Sequence, residues 1–211
     1  MKSIKSVCSA CQECCKQYNI TLLPEEAKKI EKKLNLIEKE FIEKYCDLSI
    51  QFFPSFNSKN PFVLHYLKLP KKFREKLKEK TNLKYFFVLP NLALKKTKKC
   101  VFLEKGLCTI HEVKPEQCKL FPFISLKKET SFWKKYPFCN LLKQGFKPEK
   151  NFMEKSEKHY EKIKEYFEKV KENGFKSEWK NLPEKGNAFY KDEKIIQMTK
   201  NEFSKLTETF K

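Results

Sequence analysis

Four of the chain's nine cysteines fall within eight residues, Cys8, Cys11, Cys14 and Cys15 in the run CSACQECC, and four more stand at Cys100, Cys108, Cys118 and Cys139. A thiolate is a ligand for a soft metal ion or an iron–sulfur core, and two intervening residues let one tight turn aim two sulfurs at one centre. Burial as small hydrophobes would explain an isolated cysteine, but not four crowded into one turn-rich segment. The spacing predicts a metal site. Side chains of adjacent residues such as Cys14 and Cys15 diverge by about 100° on a helix and point to opposite faces of a strand. The pair is therefore not expected to serve one small ion, and two centres or one multinuclear centre follow. Three cysteines at C-x2-C-x2-C completed by scattered single ones resemble the ligand order of cubane ferredoxins, which leans to iron–sulfur. Zinc would instead be structural and closed, with all four positions filled by protein.

The elements that must position these sulfurs are partly readable. Val101 and Leu103, followed by a turn at Glu104 to Gly106, predict a tight hairpin that presents Cys100 and Cys108 together. A helical turn from His111 to Gln117 would carry Cys118 to the same place, with His111 as a packing residue. Phe121-Pro122-Phe123 would wall the site with apolar rings and limit solvent access. After the first cysteine run come a strand-like stretch, Tyr18 to Leu22, and a helix announced by Pro24, Glu25 and Glu26. Its apolar positions recur at Ala27, Ile30, Leu34, Ile37 and Phe41, with a break near Asn35. Cys46 has no ligand-like neighbour in sequence and reads as a packed free thiol.

Residues 50–99 show no recognisable chemistry and read as a supporting insertion punctuated by Pro54, Pro61, Pro70 and Pro90. A lysine-rich helix is expected at 71–80, a short strand at Tyr85 to Val88, and His65 as a core or surface histidine. Residues 150–211 read as a helical extension. Met153, Tyr160, Ile163, Phe167 and Val170 form one stripe, His159 lies on the charged side, and a last helix runs from about Lys191 through Met198, Phe203 and Leu206. The domain reading is thus 1–149 for the cysteine-cluster domain and 150–211 for the extension.

Composition bounds the rest. With 211 residues and 40% apolar content the chain can bury one good core. Glycine is scarce at 4 residues and phenylalanine abundant at 20, which favours many helices and an aromatic interior. The formal charge is +19. Eight thiolates and two dipositive centres would lower it without removing its basic character. Arg74 is the only arginine, and lysines alternate with glutamates in KKIEKKLNLIEKEFIEK. That is a solvated surface more than a specific nucleic-acid interface, because lysine lacks arginine's bidentate and stacking contacts. The start MKSIKSVCSA has no apolar signal-peptide core, and no stretch approaches the roughly 18 apolar residues of a membrane span. The expectation is a cytoplasmic protein with reduced thiols.

The cysteine run, the C-x-F-L with its glycine turn, the C-x-I, and the proline before Cys118 followed by F-P-F together resemble the YkgJ family of cysteine-cluster proteins. That family is described as zinc- or iron-chelating, and its members are often labelled iron–sulfur oxidoreductases. The similarity runs from Cys8 to Cys139 and implies Cys8, Cys11, Cys14, Cys15, Cys100, Cys108, Cys118 and Cys139 as metal ligands. This chain departs from many relatives at Gln12, His111, Lys114 and Lys119, none of which is a sulfur. The flagellin lysine methylase FliB resembles the same family, although the chain has no glycine-rich nucleotide loop to support methyl transfer. The sequence thus points to a mainly helical α+β domain organised by metal, with short strands and a helical C-terminal extension. Its function is redox or electron transfer through iron–sulfur centres with a redox or protein partner, or else a zinc-stabilised binding module or a lysine-modifying enzyme.

Overall fold

A computed structural model describes residues 11–55, 63–123, 136–147, 150–191 and 193–209. Cys8, and the role expected for it, lies outside the described residues.

The chain folds as α+β around one mixed sheet in the order β1-β4-β2-β7-β8, with β3 also on β4. Its centre is the antiparallel ladder of β2 (Cys46–Pro54) and β4 (Tyr85–Leu94), paired from Cys46↔Leu94 to Pro54↔Phe86. The expected strand at Tyr85 to Val88 therefore continues through Pro90. β1 (Thr21–Leu22) and β3 (Val63–His65) cover the outer edge of β4 at 92–93 and 85–87. The break between them falls at Pro90, which has no N–H to donate to a third partner. Alternate residues of β2 make the buried face: Cys46, Leu48, Ile50 and Phe52 are all at most 1% exposed. The Phe52 ring sits 5.9 Å from Phe73 and 6.3 Å from Phe86. Residues 50–99 thus supply much of the core.

Helices α2 (Pro24–Leu34) and α3 (Glu38–Tyr45) bury Ala27, Ile30, Phe41 and Ile42, and the expected break occurs at Asn35, which takes the left-handed conformation at φ 53°. Ile37 does not join the stripe. It precedes α3 and is exposed. Helix α4 (Lys71–Lys80) lies where its lysine-rich pattern put it and buries Phe73 and Leu77.

Two expectations for the C-terminal third are corrected. Residues 185–199 form a hairpin, β7 (Lys185–Tyr190) and β8 (Glu193–Thr199), and the last helix begins only at Lys200. β7 pairs in parallel with β2, so the sheet spans the boundary expected at residue 150. Gly186 faces Leu48 there, and a Cβ on it would come within 2.0 Å of the Leu48 carbonyl oxygen. The long helix (Lys150–Asn173) is present, but the N-terminal half of its buried stripe is Phe152, Ser156 and His159, while Met153 and Tyr160 are exposed. His159 is 5% exposed and not solvated. Two polar residues occupy inward positions where the larger apolar neighbours were expected.

Candidate metal centre

The first cysteine run ends in helix α1 (Glu13–Gln17), which carries Cys14 and Cys15. Gln12 adopts the left-handed conformation at φ 56° and turns the chain between Cys11 and this helix. Its side-chain amide donates to the Gly106 carbonyl at 3.0 Å. The Cys100 N–H donates to the Cys15 carbonyl at 2.7 Å. These two bonds fix the first cysteine segment to the second across some ninety residues of chain.

That second segment is the expected hairpin. β5 (Leu103–Glu104) and β6 (Leu107–Cys108) are joined by Lys105 and Gly106, both at positive φ (43° and 82°), the tight two-residue turn that matches strand twist. Cys108 pairs with Leu103, and Cys100 enters through an isolated bridge to Lys96. After a 3-10 turn at His111–Val113 and a break at Lys114 and Pro115, helix α5 (Glu116–Leu120) brings in Cys118. His111, expected to pack, is exposed.

Two side chains lock α5 in place: Gln117, for which the sequence suggested no role, and Glu26, which it marked only as an acid at a helix start. The Gln117 carbonyl oxygen accepts from the Thr21 N–H at 2.9 Å, and its amide donates to the Tyr18 hydroxyl at 3.2 Å. Glu26 is buried and bridges two helix starts: one oxygen accepts from the Leu23 N–H at 2.9 Å, the other from the Glu116 N–H at 2.8 Å. Glu26 was legible as an acid in the first turn of α2; its bond to the Leu23 N–H and its second bond, to a helix ninety residues away, were not. The cation of Lys96 donates to the Tyr18 carbonyl at 2.7 Å.

The thiols sort into two groups. Cys15, Cys100, Cys108 and Cys118 interact electrostatically in every pairwise combination. Cys139 interacts instead with Cys11, and a small cavity of about 20 Å³ is lined by Cys11, Cys14 and Cys139 together with Phe121 and Leu141. Cys139 stands just before helix α6 (Asn140–Lys143), in a satellite core with Phe123, Tyr136 and Leu141. The expected aromatic wall is present, with Phe121 4.7 Å from Tyr136 and 5.2 Å from Tyr18. Cys14 lines the small cavity while its thiol also hydrogen-bonds to Cys15, so the adjacent pair joins the two groups. Cys46 belongs to neither: it is buried in β2, and burial pushes its thiol far above the ordinary range.

Charge distinguishes the members of the first group. The Cys14 hydrogen bond, helped by Lys114, Lys96 and Lys16, brings the Cys15 thiol down to about 7 against the opposing effect of burial. Burial pushes Cys100 up to about 11 and raises Cys108 and Cys118 as well, reinforced by their thiolate neighbours. Among the described residues no three His, Cys, Asp or Glu side chains reach the closeness of a formed metal site. The donor set is nonetheless all sulfur, which suits zinc or iron–sulfur and not the oxygen-seeking magnesium or calcium.

No helix among the described residues is long and apolar enough to cross a membrane. A family model described as "CxxCxxCC: Putative zinc- or iron-chelating domain" matches residues 7–140. No curated protein and no solved structure matches the chain.

Proposed function

The chain belongs to the CxxCxxCC zinc- or iron-chelating family, and from that premise we propose that it carries two all-thiolate centres and works in electron transfer. One centre takes Cys15, Cys100, Cys108 and Cys118, and the other takes Cys8, Cys11, Cys14 and Cys139. The observation that carries this reading is that Cys15 interacts with Cys100, Cys108 and Cys118 while Cys14, within hydrogen-bond reach of it, lines the small cavity with Cys11 and Cys139.

Iron–sulfur is the favoured occupant of the second centre, because three ligands at C-x2-C-x2-C and one remote cysteine follow the cubane order. Such a core supplies one-electron transfer. The chain's part is to hold the sulfurs, to shield them with Phe121, Tyr136 and Tyr18, and to surround Cys15 with the cations of Lys16, Lys96 and Lys114. A basic approach of this kind suits an acidic redox partner. Zinc as the stabiliser of a binding module is the second reading. It is favoured by the first group, whose sulfurs pin three separate segments together as a closed structural zinc site does. Methyl transfer to lysine rests on the FliB resemblance alone, and a methyl-donor binding assay tests it.

Anaerobic purification with metal analysis, visible absorption and electron paramagnetic resonance after reduction decides between the first two. Thiolate-bound iron absorbs in the visible and zinc does not. Cys14→Ala and Cys15→Ala are expected to lose different metal fractions or different signals. Identical loss in both variants, or full metal content with the parent spectrum in either, would overturn the two-centre arrangement.

A further inference from the structure

Beside α5, the start of α2, the Val113–Lys119 segment and the long helix Lys150–Asn173 line a half-open cavity of about 210 Å³. We propose that this cavity is a binding site for a small oxyanion, with phosphate or a phosphoryl group as its ligand class. Four observations support the assignment.

The first is charge. Lys29, Lys114, Lys155 and Lys158 line the cavity and form no ion pair among the described residues. The carboxylates that share the lining are already engaged. Glu25 pairs with Lys162 at 2.5 Å, Glu116 pairs with Lys119 at 2.7 Å, and both oxygens of Glu26 accept backbone N–H groups. Four unpaired lysines against the single carboxylate of Glu26 leave the net charge facing the cavity positive. The second observation is His159, which lines the same cavity, is 5% exposed, and has a buried Nδ1 with no hydrogen-bond partner. An unpaired buried polar atom costs about 1–3 kcal/mol, so the imidazole in the cavity wall carries an unmet hydrogen-bonding demand beside the lysines.

The third is size. At about 210 Å³ the cavity lies below the roughly 300–1,000 Å³ of sites that hold drug-sized molecules. That volume suits a small anion or the charged end of a larger one. The fourth is geometry. Lysines 155, 158 and 162 fall at helical spacings of three and four on one helix, and Lys29 and Lys114 face them from two other elements. An anion between them is approached from three sides. Doubly charged phosphate gains more from this field than a carboxylate does. The interaction of Lys114 with the thiolates of Cys15, Cys108 and Cys118 places the anion site next to the first sulfur group.

The test is calorimetric titration of the full metal-loaded chain with inorganic phosphate and, separately, with acetate in low-chloride buffer. Saturable binding of one phosphate per chain is expected, with acetate at least about ten-fold weaker, or roughly 1.4 kcal/mol. The double variant Lys155→Gln/Lys158→Gln changes only exposed side chains, so its fold is retained, and it should weaken phosphate binding by about ten-fold or more. His159→Phe should weaken it too. The remote pair Lys44→Gln/Lys191→Gln should leave it unchanged. Absence of saturation up to about 10 mM phosphate, acetate binding as tightly as phosphate, or equal weakening by the cavity pair and the remote pair would each overturn the proposal. If His159→Phe does not fold, the lysine pairs decide alone.

Discussion

The sheet and the cysteine segments of this molecule are built on opposite principles. In the β2–β4–β7 region almost every inward side chain is apolar and within a few per cent of complete burial, and no cysteine other than Cys46 lies there. Cys15, Cys100, Cys108 and Cys118 each keep some exposure as residues, and their segments are joined by long-range hydrogen bonds such as Gln12 to Gly106, Cys100 to Cys15 and Thr21 to Gln117. Apolar burial stabilises the first region without help. The second is anchored by fewer buried side chains, among them Phe102, Ile110 and Leu120, and this is where metal ligation has the most to contribute.

The sharpest way to break this contrast is to remove the metal. The free energy coupled to a structural thiolate site is on the order of 10 kcal/mol, so chelation with verified metal loss should abolish amide-exchange protection at 11–18 and 100–120. The β2–β4 ladder should keep its protection; its loss in the same step would show that the two regions are one cooperative unit. The converse perturbation is Phe52→Ala, a truncation at the centre of the sheet core. It should cost about 3–5 kcal/mol in denaturant unfolding with metal content per folded chain unchanged. Metal loss in that variant would mean that the sulfur groups depend on the sheet's packing.

Glu26→Ala acts at the junction. It strips acceptors from the N–H groups of Leu23 and Glu116 and should destabilise by about 1.5–3 kcal/mol, with exchange at α5 increasing most. An effect spread evenly over the chain would deny Glu26 its local bridging role. The smallest effect belongs to His159. Burial holds its imidazole below the ordinary value, with Glu116, Glu25 and Lys162 as the charged groups around it. The folded chain therefore resists protonation, and the stability contributed by the neutral ring is present at high pH and lost as pH falls through the imidazole titration. Between about pH 7.5 and pH 5 the parent should lose more stability than His159→Phe. Parallel pH profiles would remove His159 from the titration.

What could be read from the sequence was what depends on near neighbours. The hairpin carrying Cys108 follows from Lys105-Gly106, whose turn chemistry is local, and the break at Asn35 and the helix at 71–80 were visible for the same reason. The rest is set by distant partners. Pro90 looked like the end of a strand because the gap it occupies on the edge of β4 is created by β1 and β3, from elsewhere in the chain. Residues 185–199 looked like a loop and a helix because β7 exists by pairing with β2. His159 was put on the wrong face because Tyr160 is the larger apolar residue; stepping back from Val170 through Tyr166 and Ile163 by threes and fours arrives at His159, Ser156 and Phe152. The cysteines were recognisable as candidate ligands from their spacing. Which remote sulfur joins which group depends on bonds such as Cys100 to Cys15, and spacing does not encode those.

The parallel pairing of Leu48 with Gly186 also fixes an order of events during synthesis. β4 can join β2 early, but β7 leaves the ribosome more than 130 residues after the strand it must join. Every cysteine is translated before it does. A nascent chain can therefore gather all its thiols while one edge of β2 is still open. Until β7 arrives, that edge exposes unpaired N–H and C=O groups beside Ile50 and Phe52, the kind of template on which other chains pair. A product terminated before residue 185 would keep this edge permanently and should aggregate, however completely its sulfurs are occupied.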